Sequence, residues 1–288
     1  MSTSSSQPLV VRSNLDFGIG SDMPRYWFRN NPYLTRVFDG VSMMFPDGER
    51  TFISSLRPFR PKITDARLAQ EVADFCRQEG QHGIQHSLVN DMLEGQGIPV
   101  ERLLQRFKQN QALMAEKLSP EMQLAMTAAA EHLTALIAEA FFSNPEIMAD
   151  ADPRMRALLA WHAIEEMEHR SVAYDVMVKV AKVGYFKRVG AMTLVHLGFW
   201  RQMLYQAHSM LAADGFSRDE RRQMARESLP ILFGRKGIMT AVLGPLLSYY
   251  RPGFHPEDIP VLKQYPVWLD VFERTGDPLL ASEALQAA

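Results

Sequence analysis

Residues 158–176, LLAWHAIEEMEHRSVAYDV, place a Glu-x-x-His pair, Glu166 and His169, within an apolar stretch of predicted helix. Residues three and four apart lie on one face of an α-helix, so the pair presents a carboxylate and an imidazole to a single point. Because burying unpaired carboxylates costs several kcal/mol each, ionisable groups on an inward face need charge partners or a metal ion. The positions that share this face are Leu158, Leu159, His162, Glu166, His169, Val172 and Val176.

A second Glu-x-x-His pair, Glu79 and His82, lies earlier in the chain on a similar face, and each pair follows a lone glutamate, Glu49 or Glu131, on the preceding site helix. Four helices that donate Glu, Glu-x-x-His, Glu and Glu-x-x-His hold two iron or manganese ions in ferritin-like bundles. Four carboxylates also balance two divalent cations. The sequence therefore predicts an all-α, ferritin-like four-helix bundle with a dinuclear metal site. Buried Glu/His pairs joined only by hydrogen bonds are the alternative.

Proline, glycine and capping residues set the limits of the predicted helices. These helices run from Asn31-Pro32 toward Met44, from about Glu49 to Leu56, from Thr64 to about Leu93, from Pro99 to about Leu118, from Ser119-Pro120 to Asn144-Pro145, and from Asp152-Pro153 toward Gly184. Residues 57–61 are predicted to be an extended loop, and the helix that begins at Pro99 is predicted to be a crossover between two helical hairpins.

Three regions follow from this pattern. We predict an N-terminal tail at 1–30, the metal-binding bundle at 31–185, and a C-terminal helical extension at 186–288 that packs on the bundle with two or three further helices. Ser217 is predicted to open one of those helices.

Composition excludes several classes of protein. The chain has 288 residues, 47% hydrophobic content and a net charge of −2, with charges of both signs interspersed, so nothing predicts nucleic-acid binding. The single cysteine, Cys76, fits a reducing cytoplasm. The Ser-rich segment Met1–Gln7 lacks a basic region followed by an apolar one, and it is predicted to be a flexible tail rather than a signal peptide.

Two uncharged stretches need separate consideration. Arg201 is the only Lys, Arg, Asp or Glu between Val189 and Ala213, and a further uncharged stretch runs from Gly237 to Tyr250. Neither reaches the roughly eighteen uncharged apolar residues of a membrane span, so core helices are predicted. A peripheral membrane contact through one surface stays open as the alternative, and its residues would be Phe199, Trp200, Met203 and Leu204.

Three motifs carry a resemblance to a known family: FPDGER at 45–50, EGQHGIQH at 79–86 and WHAIEEMEHRSVAYD at 161–175. They resemble the bacterial family of predicted metal-dependent hydrolases, over most of the chain from the first helix to the region of Phe254-His255-Pro256. The spacing His-x-x-x-Glu-x-x-His, formed here by residues 162, 166 and 169, is also similar to that of the di-iron arylamine N-oxygenases. The chain departs from the N-oxygenases at His86, which lies one helical turn beyond His82 on the same face.

The similarity to the N-oxygenases implies that His162 is an additional metal ligand. The other ligands would be Glu49, Glu79, His82, Glu131, Glu166 and His169. The predicted metal residues are therefore Glu49, Glu79, His82, His86, Glu131, His162, Glu166 and His169, and the four glutamates among them are the predicted catalytic residues. His86 is predicted either to bind metal or to support a ligand, and Glu165 to support one. Glu168 is expected to be solvated or paired with an arginine, and His132 to be a packing or surface residue.

The preferred functional prediction is a dinuclear carboxylate enzyme that activates O2 as co-substrate. Iron suits the mixed carboxylate and imidazole ligands, and manganese is the second choice. The substrate would be an apolar or amine-bearing small molecule, with an external electron donor and a homodimer left open. The alternative is a metal-dependent hydrolase that uses a metal-bridging water. A non-catalytic metal-binding or membrane-associated protein is the third hypothesis.

Overall fold

The computed structural model describes residues 9–235, 237–260 and 262–288, and these residues form helices and connecting turns without a β-strand. One isolated β-bridge joins Phe28 to Ala151. The predicted all-α class is confirmed. The Ser-rich segment Met1–Gln7, predicted to be flexible, lies outside the described residues.

The described chain forms one long series of α-helices with short turns between them. The α-helices are α1 (Pro32–Ser42), α2 (Phe45–Leu56), α3 (Ala66–Gly95), α4 (Val100–Lys117), α5 (Pro120–Phe142), α6 (Pro145–Met148), α7 (Pro153–His169), α8 (Val172–Asp175), α9 (Tyr185–Ala213), α10 (Arg218–Phe233), α11 (Leu243–Ser248), α12 (Tyr265–Thr275) and α13 (Pro278–Ala287). The 3-10 turns are Arg60–Lys62, Ile238–Thr240 and Pro256–Asp258, and Val176–Val180 is a π-helical turn.

Side-chain caps begin four of these helices where the sequence predicts them. Asn31, Ser119 and Asp152 each accept a hydrogen bond from a backbone N–H in the first turn, and each precedes a proline. Ser217 opens α10 with a reciprocal capping box to Glu220. These starts are confirmed.

Three local predictions are wrong. Asp65, not Thr64, caps α3, because its carboxylate accepts the N–H groups of Arg67 and Leu68. Residues 57–61 are not extended; they turn tightly into the 3-10 segment. The helix that begins at Pro153 ends at His169 instead of continuing toward Gly184. The apolar period continues across this break, and no glycine or proline stands between 170 and 183, so the sequence gives no signal of it.

The four helices with predicted metal residues form a ring, in which α2 contacts α3 and α5, and α7 contacts the same two helices. Helix α4 connects α3 to α5 in the chain, as predicted for a crossover, and α9 packs against α1 and α5. Helix α13 packs against α7. The interior between the helices is filled by large buried side chains such as Phe75, Leu124 and Trp161.

The C-terminal helices cover the bundle, and they are more numerous than the predicted two or three. Met203 is buried, while Phe199 and Trp200 line an inner cavity, as predicted for a core helix. Among the described residues, α5 alone is long and apolar enough to cross a membrane, and 67% of its most apolar window is buried inside the protein. A core helix gives the same signal. Peripheral membrane contact remains a prediction.

The described part of the N-terminal segment packs on the bundle. Phe17, Trp27 and Phe28 are buried in the common core, and Arg12 is buried beside α7. The sequence assigns these residues to a tail at 1–30, because no helical period marks them. The limits of the three predicted regions remain predictions.

Candidate metal centre

All eight predicted metal residues are buried and converge inside the ring of helices. Their ligand atoms fall into four overlapping groups, and the atoms of each group lie within 4.8 Å of one another. The groups are Glu79, Glu131, Glu166 and His169; Glu49, Glu79 and His82; His82, His162 and Glu166; and Glu49, His86 and His162. Because several residues belong to two groups, the cluster is continuous and is large enough for more than one cation.

His169 marks one position for a cation. Its Nε2 atom lies 3.3 Å from Glu79 Oε1, 3.3 Å from Glu131 Oε2 and 3.4 Å from Glu166 Oε1. Ligand atoms bound at about 2.1 Å to one cation lie roughly 3.0 to 3.4 Å apart in octahedral or tetrahedral arrangements. The four side chains therefore have the separations of a coordination sphere.

Hydrogen bonds on the far side of two imidazoles turn their free nitrogens toward the cluster. His169 Nδ1 lies 3.1 Å from Gln78 Oε1, and His82 Nε2 lies 3.1 Å from Glu165 Oε2. Since both oxygens accept, the remaining nitrogens carry lone pairs, and His82 Nδ1 lies 3.9 Å from Glu166 Oε1. Metal-ligating histidines are oriented in this way.

The other two histidines form a hydrogen-bonded line. His162 Nε2 lies 3.0 Å from Glu166 Oε1, and its Nδ1 lies 2.7 Å from His86 Nε2. His86 Nδ1 in turn lies 2.7 Å from Ser42 Oγ. Neither hydrogen bond of His86 goes to a carboxylate of the cluster, whereas His162 Nε2 faces Glu166. This difference favours a supporting role for His86 and direct ligation for His162. The ring of His162 also stacks on that of His82, with centroids 4.1 Å apart.

Three carboxylates of the cluster lack partners. Both carboxylate oxygens of Glu49, Glu79 and Glu131 are buried without a hydrogen-bond partner. Burial, reinforced by neighbouring carboxylates, raises the pKa of each well above the ordinary 4.5. Burial also acts to raise the pKa of Glu166, but the adjacent His169 and His162 outweigh it and hold that pKa well below 4.5.

The lack of hydrogen-bond partners for these buried carboxylates bears on whether divalent cations fit between them. Buried carboxylates are normally paired, hydrogen-bonded or bound to metal. These three glutamates have no hydrogen-bond partner, and the neighbours of Glu79 and Glu131 within 4.0 Å are imidazole nitrogens rather than an arginine or lysine. Four carboxylates with imidazoles form a donor set that suits divalent iron, manganese or zinc. The residues therefore fit two divalent cations.

Arg12, which the sequence does not single out, anchors a second layer of charge around the cluster. Its guanidinium lies 3.0 Å from Glu165 Oε1 and 2.7 Å from Glu168 Oε1. Glu165 also accepts from Trp161 Nε1 at 2.9 Å, and Glu168 from Gln78 Nε2 at 2.8 Å. The predicted pairing of Glu168 with an arginine is confirmed, and the alternative of a solvated side chain is wrong.

Through these contacts, one arginine supports both motif histidines. Glu165 holds His82, and Gln78, itself fixed by Glu168, holds His169. Burial raises the pKa of Glu165 to about 7, although Arg12 opposes the shift. In the sequence, this layer is indicated only by Glu165 and Glu168, two additional glutamates in a buried stretch that need a positively charged partner such as an arginine.

Two other residues behave as packing residues. His132 is buried against the rings of Tyr249 and Phe254, as predicted for a histidine that faces away from the cluster. Cys76 is half-buried against the core, and burial raises the pKa of its thiol. Neither belongs to the four ligand groups.

An apolar cavity reaches the cluster from one side. A space of about 80 Å³ is lined by Phe45, Thr134, His162 and Glu166 among other side chains. Thr134 Oγ1 donates a hydrogen bond to Glu166 Oε2 and so fixes this carboxylate at the cavity wall. A small molecule that enters the cavity would meet the cluster at Glu166 and His162.

Comparison with known families adds one finding. A family model described as predicted metal-dependent hydrolase matches residues 11–259. The chain belongs to this family. Neither the curated proteins nor the solved structures gave a match.

The description of the family as predicted metal-dependent hydrolases agrees with the buried cluster of candidate metal ligands. The matched region contains all eight predicted metal residues, and it begins just before Arg12. The predicted resemblance to this family is thus confirmed, and so is its extent over most of the chain. The likeness to the arylamine N-oxygenases remains a prediction.

Proposed function

We propose that this chain is a metal-dependent hydrolase with a ferritin-like dinuclear centre, and that Glu166, which belongs to two of the ligand groups, is among the residues that would hold the cations. The observation that supports it most is that the buried carboxylate oxygens of Glu49, Glu79 and Glu131 have no hydrogen-bond partner. Those of Glu79 and Glu131 lie 3.3 Å from His169 Nε2. The proposed ligands are Glu49, Glu79, His82, Glu131, His162, Glu166 and His169, with His86 in support.

Hydrolysis is the reaction class that the family description names. Divalent cations at this centre would supply a Lewis acid and lower the pKa of water. The chain itself supplies an apolar cavity for the substrate and a carboxylate, Glu166, which Thr134 holds at its wall. Ser42 also lines the cavity, and the line Ser42–His86–His162 can carry a proton between the cavity and the cluster.

The test combines metal analysis with anaerobic turnover. We expect two divalent cations per chain in freshly purified protein, and cleavage of esters or amides with an apolar acyl group after a chelated sample is reloaded with zinc without O2. The variant Glu79→Ala should lose metal and activity together. Wild-type metal content in this variant would contradict the proposed ligands, and a fully loaded protein without anaerobic cleavage would contradict the hydrolase.

A second candidate function is oxidation or oxygenation of an apolar small molecule with iron or manganese and O2. The donor set, which combines four glutamates with three histidines, favours it, since mixed carboxylate and imidazole ligands suit Fe(II) and Mn(II). The nearly polar-free cavity favours it too, because a hydrocarbon substrate needs no polar partners. The electrons would come from an external donor.

This second candidate is tested by loading Fe(II) anaerobically and then admitting O2. Stoichiometric O2 uptake and ferric absorption bands would support it. Bound iron that consumes no O2 would contradict it. Metal binding without either reaction would instead favour a non-catalytic metal-binding protein.

A further inference from the structure

A larger cavity adjoins the small one beside the metal residues. Its volume is about 450 Å³, which falls in the range of pockets that hold small-molecule ligands. It lies between α2, α4, α5 and α9, and apolar side chains such as Phe52, Phe107 and Met126 form most of its wall. A molecule that fills this cavity must be largely apolar.

The two cavities share part of their walls. Val41, Phe45, Thr134 and Phe199 line both of them. Since Thr134 also donates a hydrogen bond to Glu166, the inner end of the larger cavity lies beside the carboxylate of the proposed metal centre. An elongated ligand in the larger cavity would therefore be directed toward the metal residues.

Two hydrogen-bond donors lie on one wall of the larger cavity. Among the described residues, Arg201 is the only charged one that lines this cavity, and its exposed side chain has no ion pair with any of them. The neighbouring Gln202 is only 5% exposed, and its amide Nε2 is buried without a hydrogen-bond partner. A buried donor without an acceptor destabilises the protein, so this site is suited to a ligand with acceptor oxygens.

We propose that the larger cavity binds an amphiphilic carboxylate, with its apolar chain in the cavity and its carboxylate oxygens at Arg201 and Gln202. Charge complementarity at Arg201 and the unpaired amide of Gln202 select this head group, and the apolar wall selects the chain. The inference names a substrate class for the metal centre and in that respect rests on the proposed function. Binding itself requires no metal.

Dodecanoate, below its micelle concentration, is the probe for a calorimetric titration of the full chain after chelation. We expect saturable binding at one site. The variant Gly198→Phe should weaken it at least tenfold, because Gly198 lines the cavity, a side chain there meets no atom within 4 Å of its Cβ, and the ring would occupy the space of the ligand.

Gly190→Phe is the matched control, since Gly190 belongs to the same helix, has equally open surroundings and does not line the cavity. It should bind dodecanoate as the wild type does. Absence of binding in the wild type, or equal binding in both glycine variants, would overturn the proposal.

The head group is tested by Arg201→Gln. This variant should weaken dodecanoate binding about fivefold, the effect of one exposed ion pair, and leave binding of dodecanol unchanged. Equal losses for both ligands, or none for either, would overturn the assignment of the carboxylate to Arg201. Because the titration uses metal-free protein, its failure is distinct from a failure of metal loading, which elemental analysis reports separately.

Discussion

Two sets of buried glutamates in this protein differ in whether their carboxylate oxygens have partners within the protein. Glu165 and Glu168 are held by Arg12 and by further hydrogen bonds, whereas Glu49 and Glu131 have no hydrogen-bond partner for either oxygen. Both sets are fully enclosed, so burial does not separate them. The outer set, Glu165 and Glu168, has its ion-pair and hydrogen-bond partners within the protein. The inner set, Glu49, Glu79 and Glu131, has carboxylate oxygens for which the chain supplies no hydrogen-bond partner. We infer that the inner set was shaped by bound cations.

The most direct way to break this comparison is to remove an inner carboxylate. Glu131→Ala should reduce metal content from two cations per chain to one or none, because Glu131 lies 3.3 Å from His169 in the ligand group that has four members. In chelated protein the same variant should raise the free energy of unfolding, since an unpartnered buried group is lost. Elemental analysis and urea denaturation measure the two effects.

Glu139→Ala is the matched control on the same helix, because Glu139 is half-buried and outside the ligand groups. It should retain full metal content. If Glu131→Ala also retains two cations, the difference between the two sets of glutamates has no connection with metal.

The outer set is tested by Arg12→Met, which keeps much of the side-chain volume but removes the charge. Removing one partner of a buried ion pair costs about 3–5 kcal/mol, and Arg12 faces two carboxylates. We expect a loss of this size in urea denaturation. Metal affinity should fall about 10- to 100-fold, the usual effect of losing support for metal-binding histidines.

Arg154→Met provides the comparison, since Arg154 pairs with Asp22 and Asp152 near the surface and should cost at most about 1 kcal/mol. A loss of stability at Arg12 with unchanged metal affinity would show that the outer layer stabilises the fold without orienting His82 and His169.

A change of pH sharpens the comparison without mutation. In metal-free protein the pKa values of Glu49, Glu79 and Glu131 lie above their unfolded value of about 4.5, so the folded state binds more protons than the unfolded state. Their contribution to stability is then fully present below pH 4.5 and is lost as pH rises. Each such group changes the stability by up to about 1.4 kcal/mol per pH unit.

With cations bound, the same carboxylates are held ionised, and the sign reverses: stability should be lost as pH falls and protons compete with metal. Thermal unfolding between pH 4.5 and 7, with and without chelator, measures both slopes. Parallel curves for the two samples would show that the inner glutamates do not bind the cations.

The sequence predicts the eight metal residues far better than the residues that support them, for a physical reason. Helical spacing places Glu166, His169 and their counterparts on common faces, so eight side chains can be assigned from the order of residues alone. Arg12 follows no period and reaches α7 from a segment more than 150 positions away in the chain. The break after His169 leaves no trace in the sequence because the apolar pattern continues through it. Local spacing thus reveals ligands, whereas their supports depend on tertiary contacts.

The smallest expected effect concerns Ser42, which supports the inner set in the way that Arg12 supports His82. Ser42→Ala removes the hydrogen bond to His86 Nδ1 and leaves a buried nitrogen unpaired, at a cost of about 1 kcal/mol. Ser54→Ala is the control, because Ser54 is exposed and bonds only to its own helix. If urea denaturation gives equal midpoints for the two variants, the line from Ser42 to His162 is not a structural constraint, and only the carboxylates and their arginine organise the centre.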